Sequence, residues 1–253
     1  MQIAAPNQSS PWTLAVGVLI TLTAVSQTGC QFAASGQNAQ GARYFETGQY
    51  TAAMQEFQKA IASDPTNSDG YYNLARVTHE MWKQRQDPKL AEQAEALYNQ
   101  CLDHNGNHVD CHRSLAVLLN ETQRPEKAFT LLKNWAAANP HLADARIELA
   151  RMYEEFGKPD VATKYLQDAV QQDPNSARAW LALGRLQEAS GDLTQALANY
   201  QRSFSLNNMQ PMVQQRIAAL SQQLTSQYDA TLSNGGTRLA QPFSGTNVGR
   251  DRY

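Results

Sequence analysis

Residues 143–176 read ADARIELARMYEEFGKPDVATKYLQDAVQQDPNS, and residues 177–210 read ARAWLALGRLQEASGDLTQALANYQRSFSLNNMQ. Written one above the other, Leu149 falls over Leu183, Ala150 over Gly184, Gly157 over Gly191, Ala162 over Ala196 and Ala169 over Ser203, each pair 34 residues apart. Within each copy, apolar residues recur at helical spacing on both sides of the glycine, so one period holds two helices and a turn. Small residues recur where two antiparallel helices in contact must cross. Gly157 and Gly191 fall between the helices, where a left-handed residue is needed and a side chain is penalised.

The same period runs back toward the amino terminus. Pro140 precedes Pro174 by 34 residues, and Pro65 precedes Pro140 by 75, which is two periods plus seven. One further boundary therefore lies near Asn107, and a seven-residue insertion lies in the long gap between Ala75 and Ala94, across Met81 to Pro88. Five repeats result: 34–67, 68–108, 109–142, 143–176 and 177–210. Gly41, Ala75, Ala116, Ala150 and Gly184 are the small residues of the first helices; Ala53, Ala94, Ala128, Ala162 and Ala196 are those of the second. Leu74, Leu115, Leu149 and Leu183 fill the first helices, and Phe57, Tyr98, Leu132, Leu166 and Tyr200 the second. Asp64-Pro65, Asn139-Pro140 and Asp173-Pro174 stop second helices, because proline cannot continue one. This pattern resembles the tetratricopeptide repeat (TPR) family over most of the chain. The resemblance implies an all-α, right-handed superhelical solenoid with a concave groove lined by the first helix of each repeat.

The ends of the chain differ from this body. Residues 1–29 are predicted to be an export signal: Trp12–Val25 is apolar and threonine-rich, too short to span a bilayer comfortably and suited to the core of a leader. Gly29-Cys30 resembles the end of a bacterial lipobox, which implies cleavage before Cys30 and lipidation of its thiol. Gln27 stands where that motif has an apolar residue, and the leader lacks lysine and arginine, so cleavage elsewhere and an uncleaved anchor are the alternatives. Residues 30–40 read as a small, polar tether merging into the first repeat. Residues 211–228 read as a capping helix that turns Ile217, Ala218 and Leu220 back onto the last repeat, and 229–253 as a disordered tail.

Formal net charge is −2, with no block of like charges, so no nucleic-acid surface is indicated. Gly-x-Ser-x-Gly, a phosphate-cradling glycine loop and His-Glu-x-x-His are all absent, so no catalytic residue and no cofactor is assigned. The stretch CLDHNGNHVDCH, residues 101–112, places His104, His108 and His112 among two cysteines, but the spacing is not that of a known zinc motif and no metal site is assigned. Cys101 and Cys111 come from neighbouring helices of the stack, so they are either a disulfide or two small buried thiols.

The repeat register turns Tyr72, Arg76, His79, Arg113, Val117, Asn120, Ile147, Arg151, Glu154, Arg185 and Glu188 toward the groove. Arg76, Arg113, Arg151 and Arg185 form a basic ladder suited to an acidic or extended peptide, unless Glu154, Glu155 and Glu188 neutralise them within the stack. The family's chaperone-tail binders carry asparagine where this chain has Ala42, Arg76 and Val117, so that ligand is not expected. The resulting expectation is a non-catalytic scaffold or assembly factor, exported and lipid-anchored on the periplasmic face of a bacterial envelope, that holds a partner protein or extended peptide. An accessory subunit of an envelope enzyme and a cell-wall-binding adaptor are the alternatives.

Overall fold

The computed structural model describes residues 33–235. Among these residues every regular element is a helix. α1 covers residues 33–46, followed by α2 (Tyr50–Ser63), α3 (Ser68–Arg85), α4 (Pro88–His104), α5 (Val109–Glu121), α6 (Pro125–Ala138), α7 (Ala143–Glu155), α8 (Pro159–Gln172), α9 (Ala177–Ala189), α10 (Leu193–Leu206) and α11 (Pro211–Gly235). Odd-numbered helices up to α9 are the first helices of repeats, and even-numbered ones the second.

Local chemistry sets the boundaries. The side chains of Asn67, Asp87, His108, Ser176 and Asp192 each accept a backbone N–H of the turn they open, filling a donor left over at a helix start. Gly48, Gly157 and Gly191 turn between paired helices with φ of 74°, 66° and 87°. Gln123 and Gln86 hold the equivalent places in the third and second repeats with φ of 61° and 54°, so two of the five turns place a side chain in the left-handed region.

The chain divides into two compact parts, one ending at Ala137 and one beginning at Ala138. In the N-terminal part, Ala53, Phe57, Leu74 and Val77 form a core edged by Tyr44, Tyr50 and Met54. The ring of Phe57 fills the space over Gly41: a Cβ built there would sit 2.6 Å from a ring carbon. In the C-terminal part, Ile147, Ala150, Ala162, Leu166, Leu183 and Leu186 belong to one core, and Tyr200, Val213 and Leu220 to a second beneath α11. Tyr200 repeats the Phe57 arrangement, its ring 3.0 Å from a Cβ built on Gly184. In the repeats with alanine at this crossing and leucine opposite, Ala116 with Leu132 and Ala150 with Leu166, all four residues are buried.

The seven extra residues of the second repeat, whose form the sequence leaves open, are helical. They lengthen both helices, so that α3 has 18 residues and α4 17, against 13 for α5 and 14 for α6. Met81 to Arg85 contains no helix breaker, and Asp87 with Pro88 starts α4 immediately. Residues 30–40 read as a tether overlapping the first repeat from 34, and α1 runs from residue 33. The cap expected to end at 228 continues through Gly235, so 229–235 is helix rather than tail. Its inward face is Val213 and Leu220 with Ile217 partly covered, whereas Ala218 is exposed. The predicted leader, Cys30 and residues 236–253 lie outside the described residues. Among the described residues no helix is long and apolar enough to cross a membrane.

Candidate interaction face

In the N-terminal part the first helices α1, α3 and α5 present a face rich in rings. Tyr72 on α3 sits with its ring centroid 4.9 Å from that of His108 and 6.4 Å from that of Tyr98. One helical turn along, the Arg76 guanidinium lies 4.5 Å from the centre of the Phe45 ring and 5.6 Å from that of Tyr72. A cation between two π faces is attracted to both. No carboxylate pairs with Arg76 among the described residues. Beside Tyr72 a polar cleft of about 380 Å³ is lined by Asn38, Asn67, Asp69, Asn73 and Asp110. The Asn38 Oδ1 atom is buried and accepts no hydrogen bond.

Beneath this face runs a polar network. His79 donates from Nε2 to Glu121 Oε2 at 2.6 Å, and its Nδ1 lies 3.4 Å from the Tyr98 hydroxyl. Burial pushes the His79 pKa down from its usual 6.5, opposed by the Glu121 hydrogen bond. Burial also pushes the Tyr98 phenol far up, opposed by a hydrogen bond to Ser114. His79 is thus a buried member of this network rather than a residue offered to a ligand. Arg113 pairs with Asp110 at 2.9 Å, and Val117 and Asn120 are half-buried.

The cysteines and histidines of residues 101–112 all have structural roles. Cys101 and Cys111 are free, fully buried thiols, so the disulfide alternative is not the one this structure adopts. Cys111 donates to the Tyr98 carbonyl at 3.1 Å, and a hydrogen bond with Cys101, together with burial, raises its pKa well above the usual thiol range. His104 stacks on Tyr71. His108 accepts the Cys111 N–H at Nδ1, which leaves Nε2 to donate to Asp69 at 3.1 Å. His112 donates to the Gly106 carbonyl and stacks on Trp135 at 3.9 Å.

The first-helix face of the C-terminal part is built on ion pairs. Glu148, fully buried, is bridged by Arg178 and, at 3.2 Å, by Arg151. Arg178 also pairs with Asp144, and Arg151 with Glu155 at 2.7 Å. Glu188 pairs with Arg216 of α11 and accepts the Tyr200 hydroxyl at 2.8 Å. Glu154 and Arg185 are exposed. Ile147, expected in the groove, is buried in the core because the turn of α7 that carries it packs beneath α9. The four arginines of the expected ladder therefore differ: Arg113 and Arg151 are paired, Arg185 extends into solvent, and Arg76 is held by rings. Phe45, Asn38, His108, Asp144, Glu148 and Arg178 belong to these faces and were missing from the sequence-based set. The signal for one pair was available, since Asp144 and Arg178 carry opposite charges one period apart.

A TPR repeat model matches residues 41–81, and tetratricopeptide repeat models match 143–186 and 177–208. Among solved structures the chain is similar to a thermophilic TPR protein of Thermus thermophilus, with 22% identity over 74% of this chain and 98% of that one and a TM-score of 0.52. It is also similar to pilF of Pseudomonas aeruginosa, with 20% identity over 82% of this chain and 97% of that one and a TM-score of 0.47. No curated protein matches.

Proposed function

We propose, on the premise that this chain is a tetratricopeptide-repeat protein and so a protein-interaction scaffold, that its working surface is the first-helix face of the N-terminal part and that it holds a partner in extended conformation there. The observation that carries this proposal is Arg76, a cation fixed between Phe45 and Tyr72 with no carboxylate of the described residues compensating it. Beside it, the Asn38 and Asn73 amides line a cleft of a size to take a peptide backbone. The C-terminal part, whose groove-side charges are largely paired internally, is a structural module in this reading. The role is non-catalytic: the face offers cation, amide and aromatic contacts but no nucleophile with a base.

The proposal extends to placement. Gly29-Cys30 at the end of an apolar leader supports an exported chain held by lipid at the periplasmic face of a bacterial envelope, where it acts in assembly. Two experiments test these statements separately. Crosslinking in living cells from a photoreactive residue at position 73 should trap a partner, whereas the same probe at the exposed position 164 on α8 should not. Equal trapping from both would remove the face from consideration. Cys30→Ser should release the protein from the membrane fraction, and unchanged partition would end the lipid assignment.

A further inference from the structure

We infer that Arg76 is the anchor for one acidic side chain, an aspartate or glutamate within an extended peptide; this rests on the proposed first-helix face as the binding surface. Arginines at corresponding positions of other repeats behave differently. Arg151 is bridged to Glu148 and Glu155, and Arg185 is exposed. Arg76 is neither paired with a carboxylate nor unsupported, because Phe45 and Tyr72 flank its guanidinium. A guanidinium fixed in this way keeps its donors directed and gives up little freedom on pairing with a carboxylate.

The charges around it select a single negative charge rather than a multiple one. Asp69 and Asp110 occupy corresponding positions on one side of Arg76, and Glu46, Glu80 and Glu121 on the other. His79 and Lys83 bond to Glu121, Lys83 also to Glu80, and Arg113 to Asp110, which leaves the rims acidic overall. A phosphate or a nucleic-acid backbone would meet these acids at several points, whereas one carboxylate on Arg76 meets its cation alone. The extended conformation follows from the cleft beside Arg76. Asn38 and Asn73 line it together with Tyr72, whose ring flanks the guanidinium. Amides of this kind bond the backbone of an extended ligand while its acidic side chain reaches Arg76.

The probe is a library of random dodecapeptides with acetylated and amidated ends, selected on the full chain. The expected result is a bound set with one position fixed as aspartate or glutamate. A selected peptide should then lose roughly ten- to hundred-fold in affinity on Arg76→Gln, the range for removing one charged hydrogen-bonding partner. Arg76→Lys should lose less. Circular dichroism and a thermal melt confirm that both variants fold. A bound set without a fixed acid, or equal binding to Arg76→Gln, overturns the anchor while leaving the face intact. Tighter binding when phosphoserine replaces the acid overturns the single-charge selection. Binding only by peptides with free carboxyl ends overturns the side-chain source. An empty selection overturns the face and the anchor together.

Discussion

On α3 a guanidinium rests between the rings of Phe45 and Tyr72; on α7 the guanidinium at the corresponding position, Arg151, is bridged to Glu148 and Glu155. The backbone pattern around the two is the same. What differs is the company each arginine keeps: Phe45 of α1 and Tyr72 of its own helix flank Arg76, while glutamates three and four residues away on the same helix pair with Arg151. The same contrast recurs one turn further on. Tyr98 sends its hydroxyl to His79 in the second repeat, and Tyr200 sends its hydroxyl to Glu188 in the fifth. A repeat scaffold thus fixes where a side chain emerges, and the residues a turn away or on the facing helix decide whether its charge is paired within the protein.

The contrast can be broken first in the C-terminal part. Arg178→Ala leaves the fully buried Glu148 without its main cation and should cost about 3 kcal/mol in chemical denaturation, the lower end of the range for opening a buried pair, since Arg178 itself is partly exposed. Replacing Glu148 and Arg178 together by leucine should recover most of that loss. If the single variant costs nothing, the ion-pair lattice is not what holds these helices. A second test exchanges crossing types between repeats. Gly41→Ala should cost about 1–3 kcal/mol because its Cβ meets Phe57, and adding Phe57→Leu should restore part of it by recreating the alanine–leucine crossing of the third and fourth repeats. A smaller effect of opposite sign is expected at the turns. Gln123→Gly should stabilise by about 0.5–1 kcal/mol, because glutamine there has positive φ whereas the equivalent residues 157 and 191 are glycine. The smallest concerns pH. His79 binds its proton less readily in the folded state than unfolded, chiefly through burial. As pH falls, the unfolded chain is protonated first, so the stability tied to neutral His79 is present above pH 6.5 and lost below it. Glu121, Lys83, Glu80 and Tyr98 face this ring, and His79→Gln should flatten the melting temperature between pH 7.5 and 5.5 if His79, not those neighbours, sets the slope.

Much of the fold was legible because its determinants repeat. A small residue at each crossing and an apolar residue opposite it are demanded by backbone proximity, whatever the ligand, so they recur every 34 residues. The form of the insertion was not legible, since Met81 to Arg85 carries neither a turn residue nor a gap in apolar spacing that separates helix from loop. The face was legible only as a set of directions. Register pointed His79 and Ile147 outward, yet neighbouring helices bury both. Four arginines at two repeat positions read as one ladder, and the carboxylates that silence Arg151 and Arg113 stand three or four residues away on the same helix, where such a pair is legible. What no spacing could show is that two rings from different helices close on Arg76.

The paired lengthening of α3 and α4 has a practical corollary. Five added residues on α3 carry its end about 7.5 Å past the length of α5, at 1.5 Å per residue, and α4 returns alongside it. Because the repeats on both sides keep their phase, the tip at Gln86 and Asp87 is a natural splice point: a short epitope or fluorophore attached there would report on the protein in living cells without touching the face that Arg76 occupies.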